Sequence, residues 1–599
     1  EQYNAKCREN VMMFTAEWRQ LTEEMGYFVD LDNPYITYDN KYIETLWWLL
    51  KQLYNKGLLY KGYTIKPYSP GAGTGLSSHE LNQPGCYRDV KDLTTTAQFL
   101  IKDPKTEWTK WGKPYFIAWT TTPWTLPSNV AVCVNTDETY VKVKAADGYT
   151  YYMAEALLSS VLGGLAEKCG ASASEEGAAG SEAAEGAEAK DYVILETYKG
   201  KDLEYKEYEP LFACAGEAAA KQHKKGHFVT CDGYVTMGDG TGIVHIAPAF
   251  GEDDGRVGRN YDLPFVQFVD GNGELTAETP YAGMFVKDAD PEVLKDLDKE
   301  GKLFAAPKFE HDYPFCWRCD TPLIYYARES WFIKMTDYSD EMVANNNTVN
   351  WIPEGIGHGR FGEWLKNVQD WGISRDRYWG TPLNIWECSC GKRHAIGSIE
   401  ELKSMSKNCP DDIELHRPYI DAVTITCPDC GGEMKRVPEV IDCWFDSGAM
   451  PFAQWHYPFE NQDIFEDNFP ADFISEAVDQ TRGWFYTLHA IHTMVSGTPA
   501  FKRVISNGLV LDKKGDKMSK RPGNAVDPFA VLDKYGPDAL RWYMLTNAQP
   551  WDNLKFDEGG VDEVRRKFFG TLYNCYSMFA LYANIDGFDP ETPAVPYGR

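Results

Sequence analysis

The sequence predicts an α/β protein whose parallel sheet is accompanied by a β-rich insertion and followed by helices. Three observations carry that reading. From about 311 to 535, strand-like and helix-like segments alternate, the pattern of a parallel sheet with ligands at its strand C-termini. Between 93 and 310 short apolar, β-branched runs dominate. After 536 the apolar residues fall at helical spacing.

Residues 1–92 open with a helical pattern that places Trp47, Trp48, Leu49, Leu53 and Leu58 on one amphipathic face. In the β-rich stretch, Phe116-Ile117-Ala118-Trp119, Val130-Ala131-Val132-Cys133-Val134 and Gly242-Ile243-Val244-His245-Ile246 read as buried strands. Residues 163–191 interrupt it with Ala, Gly, Ser and seven acidic residues against two lysines. Such a composition buries no core and predicts a solvated surface insertion. Farther on, Phe473-Ile474 reads as a strand end that hands over to a helix carrying Trp484, Phe485, Leu488, Ile491 and Val495. Val504-Ile505 and Leu509-Val510-Leu511 then straddle Gly508. Val561, Val564, Phe568, Leu572, Cys575 and Phe579 complete the helical pattern, and no internal repeat is visible.

Composition bounds what the chain can be. At 599 residues it predicts roughly four domains of about 150 residues each. With 43% hydrophobic and 14% aromatic residues, wholesale disorder is excluded. No apolar run approaches the roughly 18 residues of a membrane helix, so a soluble chain is expected. The opening Glu1-Gln2-Tyr3-Asn4 has neither a signal-peptide pattern nor an initiator Met, which suggests a start inside a longer protein. A net charge of −29 argues against a general nucleic-acid coat but is compatible with a local basic groove. Six of the fifteen cysteines fall in close pairs, Cys316/Cys319, Cys388/Cys390 and Cys427/Cys430. In a large chain such pairs read as metal ligands before disulfides, and a cytoplasmic location follows.

Gly515-Asp516-Lys517-Met518-Ser519-Lys520-Arg521-Pro522-Gly523-Asn524 is the sharpest motif. Two lysines flank a serine between glycines and a proline, a basic loop suited to closing over developing phosphate charge. On its own the tetrapeptide is equally a solvated lysine loop. No G-x-x-x-x-G-K-[ST] occurs, so a P-loop does not account for phosphate handling.

Lys517-Met518-Ser519-Lys520, after Asn507-Gly508-Leu509-Val510-Leu511, resembles the second signature of the class I aminoacyl-tRNA synthetases. Trp371-Gly372-Ile373-Ser374-Arg375-Asp376-Arg377-Tyr378-Trp379-Gly380 and Asp442-Cys443-Trp444-Phe445-Asp446-Ser447-Gly448 are similar to the isoleucine branch. So is Glu476-Ala477-Val478-Asp479-Gln480-Thr481-Arg482-Gly483-Trp484-Phe485, and together the motifs span most of the chain in the family's order. The resemblance implies a Rossmann-like catalytic core, incomplete here, with an inserted β-rich editing domain. It also implies a small zinc-binding insertion at about 386–436 and the start of a helical anticodon-binding domain at 536–599. Residues 1–92 and 311–535 then belong to the core and its connections, and 93–310 to editing.

Residue by residue, the resemblance places Glu476, Asp479, Gln480 and Trp484 around an aminoacyl-adenylate. An indole at a strand-to-helix turn suits a branched aliphatic side chain. Lys517, Ser519 and Lys520 fall on ATP-binding positions, the lysines steadying the pyrophosphate leaving group. In the insertion, Trp119 to Asn129 and Gly240 to Asp254 resemble an editing pocket. Thr120, Thr121, Thr122, Trp124, Asn129, His245 and Asp254 fall on its matched positions. Asp254 would hold an α-ammonium, the threonines would orient the ribose and water, and His245 would shape the pocket. One methylene yields only about 1–3 kcal/mol of discrimination, a limit for which isoleucine against valine is the standard example, so a second sieve is needed. Thr-Thr-Thr-Pro-Trp also separates the isoleucine branch from the leucine and valine ones, leaving the valine branch a distant second. The implied partners are ATP with magnesium, L-isoleucine and tRNA(Ile), with no membrane, and the implied state is a monomer.

Cys388-Ser389-Cys390 and Cys427-Pro428-Asp429-Cys430, each followed by glycine, look like one tetrahedral zinc knuckle. Cys316-Trp317-Arg318-Cys319 resembles half of a second family site whose other pair maps onto Ser69 and Ala72, so that second zinc is expected to be absent. No His-Ile-Gly-His-like tetrapeptide, the first class I signature, occurs, and His358-Gly359 lies in the wrong half of the chain to replace it. Editing without activation is therefore the expectation for these residues. The alternatives are a free-standing hydrolase of mischarged tRNA, which would leave the lysine loop without purpose, and a non-catalytic tRNA-binding paralogue.

Overall fold

The structure is a computed structural model that describes residues 1–599 apart from 77, 82–84, 103–112, 170–190, 519–522 and 594–599, with backbone alone at 78 and 79. The chain forms two compact units, Glu1–Gly62 with Ser330–Arg599, and Tyr63–Glu329.

The first unit contains the expected parallel sheet, of three strands in the order Asn350–Ile352, Arg503–Asn507, Ile474–Ala477. Its register sets Ala477 opposite Asn507, so two neighbouring strands release the chain at the same end. Helix Trp484–Ser496 follows the outer strand and buries ten consecutive residues, Phe485 to Met494. A helix buried on every side runs through the core rather than along its surface, and its polar Thr487, His489, His492 and Thr493 are buried with the rest. It stops at Gly497, whose φ of +73° only glycine adopts without strain and whose N–H caps the Thr493 carbonyl. Helix Asn40–Asn55 buries Tyr42, Leu46, Trp47, Leu49, Leu50 and Leu53; of the predicted face, Trp48 is half-buried and Leu58 lies beyond the helix end. Trp47 is fully buried; its Nε1 donates to the Pro382 carbonyl at 2.8 Å and its ring meets Trp386 edge-on at 5.8 Å.

Strands Arg393–Ala395, Ile385–Cys388, Glu433–Arg436 and Ile425–Thr426 form a small antiparallel sheet carrying the paired cysteines. It has its own core of Trp386, Leu402, Leu415 and Met434. Beyond Gly508, strand Val510–Leu511 pairs in parallel with Leu554–Lys555. Helices Pro528–Tyr535, Pro537–Thr546 and Glu558–Glu563 pack around Leu532, Leu540, Tyr543 and Val561. The predicted helix after that is present at Gly570–Ile585, but no residue on it is buried, and Leu572 and Phe579 stand 57% and 58% exposed.

The second unit holds a nine-stranded mixed sheet that includes the three strands read from sequence, as Pro114–Thr120, Ala131–Val134 and Ile243–Ile246. Ile243–Ile246 lies between the other two, antiparallel to one with His245 opposite Val132, and parallel to the other with Val244 opposite Trp119. The unit is wider than 93–310 because Tyr87–Leu93 zips onto Lys308–Pro314 over seven antiparallel pairs that composition does not reveal. Residues 170–190 of the acidic insertion lie outside the described residues. At its edges the Asp191 carboxylate accepts the Gly164 and Ala166 N–H groups at 3.0 and 2.9 Å.

Trp47→Ala removes a fully buried indole with its hydrogen bond, so the first unit should lose about 3–5 kcal/mol. Urea denaturation followed by the loss of helix signal checks this, with a lowered midpoint and an unchanged slope as the expected result.

Candidate functional site

Each unit carries one cluster of the residues singled out from sequence. In the second unit the chain leaves strand Pro114–Thr120 into a short 3-10 turn, Pro123–Ser128. Thr120 is buried at the strand end, with Thr121 and Thr122 half-buried beside it. A row of hydroxyls runs from Thr120 Oγ1 to Thr122 Oγ1 at 3.2 Å, to Thr125 Oγ1 at 3.3 Å, and on to His245 Nε2 at 3.0 Å. Thr125 spends its one proton on the Thr122 carbonyl at 2.7 Å, so His245 Nε2 must be the donor to it. That tautomer leaves a lone pair on Nδ1, which is buried and has no partner among the described residues. Burial pulls His245 down to about 4, so the ring is neutral at physiological pH.

Asp254 sits on the first turn of helix Glu252–Asn260, where its carboxylate accepts the Ala247 N–H at 2.9 Å, two residues beyond His245. Burial pushes Asp254 up to about 7, with Asp253 adding to the shift and the N–H opposing it. Trp124 is buried, its ring edge-on to Phe250 at 5.1 Å, and its N–H goes to the buried carboxylate of Asp290 at 2.9 Å. Asn129 is occupied within the fold: its Nδ2 donates to the Ala131 carbonyl at 2.8 Å and its Oδ1 accepts the Tyr208 hydroxyl at 2.6 Å. Sequence reasoning passed over Thr125 and Asp290. The first lay inside the quoted motif; the second shows as an acid on the apolar stripe Val286, Ala289, Val293, Leu297.

In the first unit Glu476 ends strand Ile474–Ala477, Asp479 and Gln480 occupy the turn Val478–Arg482, and Trp484 opens the central helix. Gln480 Oε1 accepts the Trp484 N–H at 2.9 Å, and its Nε2 reaches Asp479 at 3.4 Å. A Cβ at Gly483 would lie 2.7 Å from Gln480 Oε1 and 3.0 Å from the Trp444 ring, so the turn requires glycine. The Trp484 indole donates to the Ser447 carbonyl at 3.0 Å. Partial desolvation and the neighbouring Asp479 raise the carboxyl of Glu476, although the residue is exposed. Arg375 and Trp371 both bind Asp442, at 2.6 and 3.2 Å, which joins two of the distant motifs.

At the lysine loop, one Asp512 oxygen accepts the N–H groups of Lys514, Gly515 and Asp516 at 2.8–2.9 Å, and its other oxygen accepts from Asn524 at 3.0 Å. Lys517 is exposed on that turn, and Met518 packs against the helical core. Ser519 and Lys520 lie outside the described residues. Gly508 comes so close to the Asp552 carbonyl that no side chain fits, which fixes where the loop begins.

Cys388, Cys390, Cys427 and Cys430 converge with all four sulfurs within 4.8 Å of one another. Cys388 and Cys430 are 3.5 Å apart, Cys390 and Cys427 3.8 Å. A tetrahedral ion with bonds of about 2.3 Å needs sulfurs about 3.8 Å apart, so the cluster fits a metal such as zinc. Gly391 and Gly431 supply the left-handed turns, φ +89° and +71°, that aim each pair inward. Among the described residues no other such cluster occurs. At Cys319 the fold instead brings Ser69 Oγ to 3.3 Å and Thr321 Oγ1 to 3.2 Å of the sulfur, with the Ala72 N–H on Ser69.

Residues 1–557 match the family model of class I tRNA synthetases (I, L, M and V), and the chain belongs to that family. Within it, the chain is similar to proteins described as isoleucine–tRNA ligases. It is 50% identical to that of Porphyromonas gingivalis strain W83 over 100% of this chain and 58% of that protein. To those of Bacteroides fragilis and Clostridium novyi it is also 50% identical, over 99% and 98% of this chain and 57% and 53% of theirs. The chain thus spans a little over half the length of these relatives. No described helix is long and apolar enough to cross a membrane.

The Asp254 carboxyl titrates at about 3.9 in the unfolded chain and at about 7 in the folded one, the opposite sense to a carboxylate held in an ion pair. Between those values the folded state holds the extra proton, so the contribution of Asp254 to stability falls as pH rises and is constant above. Thermal unfolding across pH 4–8 should therefore show Asp254→Asn gaining on the unaltered protein up to about pH 7. The comparison cancels His245, whose lowered value works in the opposite direction.

Proposed function

We propose that residues 1–599 are part of an isoleucine–tRNA ligase, which forms isoleucyl-adenylate from ATP and passes the acyl group to tRNA(Ile), and that by themselves they carry the hydrolytic removal of valine from that tRNA but not the activation step. The observation that carries the hydrolytic half is the unbroken hydroxyl row from Thr120 to the neutral His245, within one compact unit. The similarity to isoleucine–tRNA ligases supports the choice of amino acid.

In this reading the acyl ester enters with its α-ammonium on Asp254. A cation beside that carboxylate favours the ionised form, so a group held near neutrality when empty becomes a charged partner when filled. Thr120, Thr121 and Thr122 orient the terminal ribose and the attacking water. His245, Trp124 and Phe250 bound the acyl end, admitting valine and refusing the larger isoleucine. Hydroxide equivalent from water adds to the ester carbonyl, the ribose oxygen leaves with a proton, and valine and free tRNA result.

In the first unit Glu476 and Asp479 offer negative charge to the isoleucine ammonium at the end of the parallel strands. Trp484 supplies the apolar wall, its indole tied to Ser447. Lys517, with Ser519 and Lys520, meets the pyrophosphate of MgATP. Zinc is the proposed occupant of the four-thiol cluster, where it supplies a structural cross-link.

Deacylation of valyl-tRNA(Ile), set beside isoleucyl-tRNA(Ile), tests the hydrolytic half. A charge-assisted bond of about 1.5–3 kcal/mol predicts that Asp254→Ala slows it by about ten- to a hundredfold. Equal hydrolysis of both esters, or an unaffected variant, would reject the assignment. Isoleucine-dependent ATP–pyrophosphate exchange should be absent from residues 1–599, which contain no His-Ile-Gly-His-like tetrapeptide.

Elemental analysis of the purified protein should find one zinc per chain, lost in Cys427→Ser and unchanged in Cys319→Ser. Two zinc ions would mean that Ser69 and Ala72 do not mark a vacated ligand pair.

A further inference from the structure

Asp290 lies on helix Val286–Lys299 with Val286, Ala289, Val293 and Leu297, all buried, and is itself only 5% exposed. The neighbouring cation Lys287 is engaged elsewhere: its ammonium pairs with Asp92 at 2.6 Å and lies 4.2 Å over the Tyr313 ring. Among the described residues Asp290 has no ion pair, and its bond is the one from the Trp124 N–H. A carboxyl buried without a counter-ion costs free energy that an apolar residue of similar size would not. Burial accordingly pushes it up to about 7, although Lys287 and the N–H both pull it down. Stability alone does not account for an acid at this position.

Its single partner does. Trp124 is at the start of the 3-10 turn Pro123–Ser128, where a backbone N–H has no carbonyl of its own turn to bind. Asp290 satisfies that donor from another element. On one side of Trp124 in the chain is Thr122, and on the other Thr125, both members of the hydroxyl row to His245. The Trp124 ring meets Phe250, and its Nε1 has no partner among the described residues, so nothing polar holds the indole directly. The backbone bond to Asp290 is therefore the polar tether that sets the indole relative to the hydroxyls.

We propose that Asp290 is a positioning residue of the hydrolytic pocket: by holding the Trp124 backbone it fixes the indole wall and so sets which acyl chain is accepted. This rests on the hydrolytic reading of that pocket. The requirement is for an acceptor oxygen rather than a charge, so Asp290→Asn should serve and Asp290→Ala should not.

The full chain is compared as unaltered protein, Asp290→Asn, Asp290→Ala, the size-matched Asp290→Leu, and Val293→Ala as a core control on the same helix. Two readouts are taken: hydrogen exchange of the segment 120–128, and the ratio of valyl- to isoleucyl-tRNA(Ile) deacylation. Asp290→Asn should keep both within about threefold. Asp290→Ala or Asp290→Leu should lose protection in that segment and about tenfold of the ratio, and Val293→Ala should lower stability while changing neither. Unchanged protection and ratio in Ala and Leu, or loss of both in Val293→Ala, would overturn the proposal. If the unaltered chain hydrolyses neither ester, the hydrolytic reading fails and the role in selectivity falls with it. The tether itself is then still decided by exchange, upheld if protection is lost in Leu but kept in Asn and rejected if the two behave alike.

Discussion

A backbone N–H that leaves a strand or opens a helix must find an acceptor, and in this protein side-chain oxygens fill that need at nearly every functional turn. Gln480 takes the Trp484 N–H where the parallel sheet gives way to the central helix. Asp512 gathers three N–H groups at the base of the lysine loop. Asp254 holds Ala247, Asp290 holds Trp124, and Asp442 caps the helix at Trp444. Each of these bonds fixes a turn that in turn aims the residues suited to chemistry, so removing one displaces several side chains together.

The two units meet this constraint under different electrostatic conditions. The acids Glu476 and Asp479 are exposed at the end of short parallel strands, where water shares the cost of their charge. In the β-rich unit Asp254 and Asp290 are held in surroundings poor in counter-charge, and both are raised to about 7. His245, lowered to about 4, is neutral beside them. An empty pocket of that kind carries little net charge, which suits the proposed uptake of a small apolar side chain together with one ammonium.

Much of this was legible in the sequence where periodicity or chemistry was local. Most of the face of helix Asn40–Asn55 and the strands around Phe116, Val132 and Val244 follow from side-chain spacing alone. The strand read as ending at Phe473-Ile474 in fact starts at Ile474 and runs to Ala477, because its polar Ser475 and Glu476 give no apolar signal. The paired cysteines with their following glycines announced a four-sulfur cluster. Long-range pairings did not show: Tyr87–Leu93 meets Lys308–Pro314 across more than two hundred residues, so the compact unit reaches farther than composition suggested. Asp290 was hidden because its meaning depends on Trp124, 166 residues away. Helical spacing likewise predicted Gly570–Ile585 but carried no information about what its apolar residues would touch.

The raised carboxyl of Asp254 also has a calorimetric consequence. At pH values below about 7 the group is protonated when the pocket is empty, and an entering cation favours its ionised form. Uptake of an ammonium is then an exchange of one positive charge for another, the proton passing to the buffer. The measured heat of such an event includes the ionisation enthalpy of whichever buffer receives it. Titrations in buffers of different ionisation enthalpy count that proton directly.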